Sequence, residues 1–230
     1  MSTLLLRLAA PLQSWGVDAK FDRRGTGRVP SKSAVIGLVA AALGRRRNES
    51  IEDLQSLSFG VRVDQEGVLV RDYHTARGKD PYVTQRYYLA DAVFLAGLEG
   101  EENLLVKIER AMRHPVFPLF LGRRSCPPEG QLVLGIRRGR SILEALNLEP
   151  WLADQQGQRK ESPEVHLRIV TDADGTDTGA YFQRDVPLSF DQSHRRFGFR
   201  RVGETISRIH STPKEGSTQH DPMSELNKED

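Results

Sequence analysis

The chain has 230 residues, 38% of them hydrophobic and 28% charged, enough apolar material for one large domain, or a compact domain with a smaller second unit, under a heavily charged surface. This excludes a wholly disordered chain and a short disulfide-held module, and Cys126, the single cysteine, excludes an internal disulfide or a thiolate metal cluster. The net charge of +2 hides 32 basic against 26 acidic residues in 1–214 and five acids against one base in 215–230, and 26 of the 33 basic side chains are arginine. The planar arginine fork suits phosphate and base edges, so the composition leans toward an anionic partner; a coding bias toward arginine is the alternative.

In chain order, Leu4–Leu8, interrupted only by Arg7, reads as a largely buried first strand ending before Pro11. Gln13–Ser31 carries Gly16, Gly25, Gly27 and Pro30 with four basic residues, which predicts a long, mobile, basic loop. Val35, Leu38, Val39, Ala42 and Leu43 repeat at helical spacing, with Ser31 or Ser33 as N-cap and Gly44 as stop. Ser50 and Asp53 start a short helix that turns Ile51, Leu54 and Leu57 inward. Phe59–Asp64 and Val68–Asp72 flank Gln65-Glu66-Gly67, which predicts a hairpin between them, and Ala92–Leu98 is a further strand.

Between these strands, Tyr73–Leu89 holds Tyr73, His74, Tyr82, Tyr87 and Tyr88, more ring surface than a turn needs, and reads as a protruding insertion. Leu104 or Leu105, Ile108, Ala111 and Met112 give a helix ended by Pro115 and Pro118, and Leu132–Ile136 a strand. The order strand, helix, two strands, helix, strand is βαββαβ: an α+β, ferredoxin-like (RRM-like) domain with helices on one face of an antiparallel sheet, over about 1–140. Ser141–Leu148 reads as a short helix, Gly157–Pro163 as a linker and Asp172–Gly179 as a polar turn within a smaller β-rich region, the whole spanning 141–211. The polar stretch 212–230 has little to bury and is expected to be a disordered acidic tail.

The longest apolar run, Ala34–Leu43, falls far short of the ~20 residues of a membrane span. The start Met1-Ser2-Thr3 lacks the basic flank of a signal peptide, so a cytoplasmic protein without a membrane partner is expected. The six histidines are scattered, and no cluster implies a metal or small-molecule cofactor.

Four constellations carry possible chemistry. Gly27-Arg28-Val29-Pro30-Ser31-Lys32-Ser33 feeds a helix start, which suits a phosphate docked by Arg28 and Lys32, or plain capping. It is not a Walker A loop, because Thr26 and Ser31 stand where that motif needs glycines. Leu121-Gly122-Arg123-Arg124-Ser125-Cys126-Pro127-Pro128 sets paired arginines on a rigid turn, which suits a bent phosphate backbone or is a solvated turn; Cys126 reads as a packing residue. Arg71-Asp72-Tyr73-His74-Thr75-Ala76-Arg77-Gly78 suits single-stranded RNA, acid–base cleavage through His74, or a histidine satisfied by backbone. Arg195-Arg196-Phe197-Gly198-Phe199-Arg200-Arg201 predicts a charged face toward a neighbouring protein or RNA, without the full ring-bearing recognition consensus.

Taken together, Leu6-Arg7-Leu8-Ala9-Ala10-Pro11-Leu12-Gln13-Ser14-Trp15-Gly16, Thr26–Ser33 with Gly37-Leu38, Arg71–Thr75 and Leu121–Pro127 resemble, in order and over roughly 3–136, the CasD-type subunit of the type I-E CRISPR Cascade complex, the fifth CRISPR-associated family. The resemblance implies a ferredoxin-like palm with a β-hairpin thumb at about 73–89. It implies a non-catalytic subunit that caps the 5′ handle of the CRISPR RNA (crRNA), contacts the Cascade backbone and large subunits, and supports RNA-guided DNA recognition in antiviral defence. On this sequence the implied RNA contacts fall on Gln13, Trp15, Arg24 and Arg28, on Ser31, Lys32 and Ser33, and on His74, Thr75 and Arg77. The remainder are Gln85, Arg86 and Tyr87 in the thumb and Arg123, Arg124 and Ser125 in the turn. Type I-C relatives are ribonucleases, so a metal-independent endoribonuclease using Tyr73, His74 or Lys79 is the alternative, and an adaptor that binds acidic proteins through its arginines is a third.

Overall fold

A computed structural model describes residues 1–16, 19–20, 23–76, 82–153, 164–173 and 177–210. Strand β1 (Ser2–Ala9) leads to the short β2 (Leu12–Gln13), β3 (Ala19–Lys20) and β4 (Arg23–Arg24), then helix α1 (Lys32–Ala42) and the single turn α2 (Glu52–Gln55). β5 (Ser58–Gln65), β6 (Val68–Ala76), β7 (Tyr82–Ala90) and β8 (Val93–Gly100) follow, then α3 (Glu102–Arg113), β9 (Val133–Arg137) and α4 (Ile142–Leu148). The last three strands are β10 (Glu164–Asp172), β11 (Tyr181–Ser189) and β12 (Arg196–His210). Two sheets result. One has seven strands in the order β11-β12-β10-β5-β8-β1-β9, and the other runs β2-β7-β4-β3 with β6 also on β7. Every neighbouring pair of the larger sheet is antiparallel.

The larger sheet is covered on both faces. Leu4, Leu6 and Leu8 of β1 pack with Val35, Val39, Leu105 and Ile108 of α1 and α3, while Leu5 packs with Leu95, Ile169 and the α4 residues Ala145 and Leu146. α1 and α3 share one face of the sheet, and α4, which follows the βαββαβ stretch, covers the other. That is why Leu4, Leu5 and Leu6 are consecutive and all fully buried, as a strand between two layers requires. Ser141 caps α4 in a reciprocal box with Glu144.

Two pairings depart from the sequence reading. Gly67 does turn the chain, at φ +71°, but β5 pairs with β8 and β10 while β6 pairs only with β7, so the hairpin expected between Phe59–Asp64 and Val68–Asp72 does not form. β5 is buried on both faces and takes a central place in the larger sheet; β6 is largely exposed and leaves it. A Cβ on Gly67 would lie 2.5 Å from the Ala90 carbonyl oxygen, so glycine sits where the two hairpin strands meet the sheet. The hairpin that does form is β6–β7, in register from Val68↔Ala90 to Ala76↔Tyr82.

The stretch read as a smaller C-terminal unit instead continues the main sheet, through Ile169↔Arg62, Val170↔Val61 and Thr171↔Gly60. Its attachment includes ion pairs. Arg200 donates to both Asp185 oxygens at 2.6 and 3.0 Å and to Asp172 at 2.7 Å, and Lys32 reaches Asp172 at 3.2 Å. Asp172, expected in a polar turn, thus lies in a network at the end of β10 and also accepts the Phe59 N–H. The buried Arg62 places all five donors: two on Asp64 and three on the carbonyls of Leu146, Glu149 and Pro150 at the end of α4. The expected linker 157–163 and tail 212–230 lie outside the described residues, among which no helix is long and apolar enough to cross a membrane.

Candidate nucleic-acid interface

Residues directly opposed in an antiparallel pair share a face, so the β6–β7 register sorts its side chains into two sets. One face carries Arg71 opposite Tyr87, Tyr73 opposite Gln85 and Thr75 opposite Val83. β4 runs parallel to β7 and sets Arg23 beside Gln85. The Arg71 guanidinium lies 4.6 Å from the Tyr73 ring centroid and that of Arg23 5.3 Å from the Tyr87 ring, contacts in which a cation meets the negative ring face. Arg23 also donates to the Tyr87 hydroxyl at 3.0 Å, which donates in turn to Gln85 at 3.2 Å. Tyr87 is held below the usual phenol range, chiefly by the Arg23 hydrogen bond and also by Arg71, against a smaller upward push from burial.

The other face carries Asp72 opposite Arg86, His74 opposite Thr84 and Val70 opposite Tyr88, with Arg24 beside Arg86. The predicted thumb residues are therefore divided: Gln85 and Tyr87 with Thr75 on one side, Arg86 with His74 on the other. His74 is paired with Asp72. Arg77 lies outside the described residues.

The turn at 121–126 is folded against the first loop. Ser14 N–H donates to the Leu121 carbonyl at 3.1 Å, and Leu121 N–H to the Cys126 carbonyl at 2.7 Å. Gly122 has φ +87°, and a Cβ there would lie 1.6 Å from the Ser14 carbonyl oxygen, so only glycine fits. Arg123 donates to the Arg24 carbonyl at 2.9 Å and lies 4.5 Å from the Tyr88 ring centroid, clamping the loop to the hairpin. Burial pushes the Tyr88 phenol up, but donors from Arg123, Ser125 and Arg86 outweigh it and hold the group below its usual value. Arg124 and Ser125 are exposed beside this clamp. Cys126 is buried and its thiol is pushed up by that burial, an inert packing residue.

Several expected contact residues have their side chains bonded or packed within the protein itself. Gln13 is fully buried and donates to the Leu8 and Ala92 carbonyls. Trp15 is 1% exposed, meets Phe94 edge-to-face, and its backbone is held by Thr26 and Gly27. At α1, Ser31 accepts the Ala34 N–H and lies 3.3 Å from the Ser33 hydroxyl, and the Lys32 N–H is taken by Asp185 at 2.8 Å. The helix start offered to phosphate therefore already holds a carboxylate. Arg28 is exposed next to it.

Arg23, Arg71 and Tyr73 enlarge the surface beyond the residues first assigned to RNA, while the buried Tyr88 anchors Arg123. The signal for Arg71 and Tyr73 is the period of two, which with Gln85-x-Tyr87 aligns charges and rings once the strands pair. Among the described residues none of Arg23, Arg24, Arg28, Arg71, Arg86, Arg123 and Arg124 forms an ion pair, and no group of three or more His, Cys, Asp or Glu gathers as for a metal. Unneutralised guanidiniums interleaved with tyrosines can grip phosphates and stack bases.

Comparison with known proteins finds the following relatives. The family described as CRISPR-associated protein (Cas_Cas5) matches residues 3–203. The CRISPR system Cascade subunit CasD of Escherichia coli (strain K12) is 37% identical over 176 residues, 65% of this chain and 78% of that protein. Among solved structures, a chain of a CRISPR RNA-guided surveillance complex superposes with TM-score 0.76 at 32% identity, covering 90% of this chain and 91% of that one. A crystal structure of a Cas protein superposes with TM-score 0.73 at 40% identity, covering 92% of this chain and 99% of that one.

Proposed function

This chain belongs to the CRISPR-associated Cas5 family, and on that premise we propose that it is a non-catalytic subunit of a Cascade-type, RNA-guided surveillance complex. It holds the 5′ handle of the crRNA and caps one end of the assembly, against a backbone subunit and the large subunit. Target DNA is met through the guide, in the cytoplasm. In this reading β9-β1-β8-β5 with α1 and α3 is a ferredoxin-like palm, and the β6–β7 hairpin is the thumb.

The observation that carries the reading is the unneutralised ring-and-guanidinium surface of β6–β7, extended by Arg124. Arg23, Arg71 and Arg124 contact phosphates, Tyr73 and Tyr87 stack on splayed bases, and Gln85 offers an amide to a base edge. Arg123 acts through Tyr88 and the 24–25 carbonyls, holding the cradle in shape. His74, paired to Asp72 on the opposite hairpin face from Tyr73 and Tyr87, is a side contact and not a general base.

The test is titration of full-length protein with labelled handle RNA in EDTA, followed by gel analysis of the RNA. Intact RNA is expected, bound with a strong salt dependence of about −0.7 in log–log slope per phosphate contact. Site-specific cuts that vanish in His74→Ala would overturn the non-catalytic reading, and affinity unaffected by salt would overturn the phosphate cradle.

A further inference from the structure

The run Arg195-Arg196-Phe197-Gly198-Phe199-Arg200-Arg201 plays no part in the interface above. It opens β12, which with the edge strand β11 forms the outer end of the seven-stranded sheet. The two faces there differ. On one, Arg200 and Asp185 are buried against α1. On the other, Phe182 stands opposite Arg201, and the Arg184 guanidinium lies 6.0 Å from the Phe199 ring centroid. Phe199, Arg201 and Gly203 alternate along β12 and share this face, as does Thr171, opposite Gly203 on β10.

At Gly60 a Cβ would meet Thr171 together with Ile142 and Leu146, so this is the face α4 covers, packing on β1, β5 and β8 and reaching β12. Beyond it Phe182 is 72% and Phe199 66% exposed. Among the described residues neither Arg184 nor Arg201 forms an ion pair. Arg201 donates to the Asp177 carbonyl at 2.9 Å, and the Asp177 carboxylate accepts the Gly179 N–H.

We propose that this face is a second nucleic-acid platform, on which bases of a single-stranded segment stack on Phe182 and Phe199 while Arg184 and Arg201 contact the flanking phosphates. Exposed rings call for a flat unsaturated surface and unneutralised guanidiniums for an anion; a single nucleic-acid strand supplies both in alternation. Diagonal neighbours across an antiparallel pair stand about 7–8 Å apart, room for each ring to take its own base. Binding through ring stacking and phosphate contacts alone is sequence-tolerant. This proposal goes beyond the handle-binding reading and does not depend on it.

The experiment is fluorescence anisotropy of full-length protein with oligo(dT) and oligo(U) of about 12 nucleotides, within the span one small fold covers. Phe182→Ser with Phe199→Ser, and separately Arg184→Glu, are measured in the parent and in an Arg71→Ala, Arg124→Ala background, with thermal melting to verify folding. In both backgrounds the ring variant is expected to weaken at least one oligonucleotide about tenfold or more, and Arg184→Glu severalfold, with handle-RNA affinity kept in the parent background. Loss with oligo(dT) alone assigns the platform to DNA, and loss with oligo(U) alone to RNA. Unchanged affinity for both would overturn it, as would loss of self-association or of a partner subunit with oligonucleotide affinity intact, which marks a protein interface.

Discussion

Gly122 lets the backbone of one loop pass the carbonyl of another, with 1.6 Å between an added Cβ and the Ser14 oxygen on a backbone at φ +87°. Gly122→Ala must therefore displace the turn, and its expected cost is at least about 2 kcal/mol, read as a fall in melting temperature with loss of handle-RNA affinity. The next two residues separate structure from binding. Arg123 is spent on the Arg24 carbonyl and the Tyr88 ring, whereas Arg124 faces solvent. Arg124→Ala should leave the melting temperature unchanged and reduce the salt slope of RNA binding by about 0.7, while Arg123→Ala should lower both stability and affinity. Arg62 offers a purely structural contrast: its side chain and that of Asp64 are both 0% exposed. Arg62→Met leaves Asp64 buried without its cation, which costs about 3–5 kcal/mol by denaturant melting.

Among the elements, helices were the most legible in the sequence and strand partners the least. The α1 stripe Val35, Leu38, Val39 and Ala42 lies within a few residues, so local spacing suffices to read it. Gly67 signals that the chain turns, but not toward which strand, because the answer depends on β8 and β10 competing for the edges of β5. Lys32 reads as a free cation at a helix start for the same reason: its partners Asp172 and Asp185 lie 140 and 153 residues away. The candidate site was half legible. Its arginines and rings stand in the sequence, but which of them face solvent depends on a loop that buries Gln13 and Trp15 and leaves Arg23 beside Tyr87. Glu144 supplies a pH test at this scale, since the Ser141 N–H and hydroxyl hold its carboxyl below the usual range. Its folded value is the lower one, so its contribution to α4 is present above the unfolded value and fades as pH falls through the folded one. The protection of the first α4 amides, taken relative to intrinsic exchange at each pH, should fall across that acid window in the parent and lose this pH step in Glu144→Gln.

For the molecule as a whole, one continuous sheet holds both ends of the described chain, with β12 second from one edge and β1 second from the other. The hairpin β6–β7 leaves that sheet at Gly67 and carries its rings and guanidiniums into solvent, so the body fixes where the binding surface stands and residues 12–16, 23–28 and 121–126 fix its shape. The most direct measurement is photo-crosslinking of handle RNA to the full-length protein within its assembled complex, with peptide mapping of the adducts. Adducts at 71–75 and 85–88 and beside Arg124 are expected, with the 5′ handle as the labelled strand. Adducts confined to the outer faces of α3 and α4, with the hairpin unlabelled, would contradict the account.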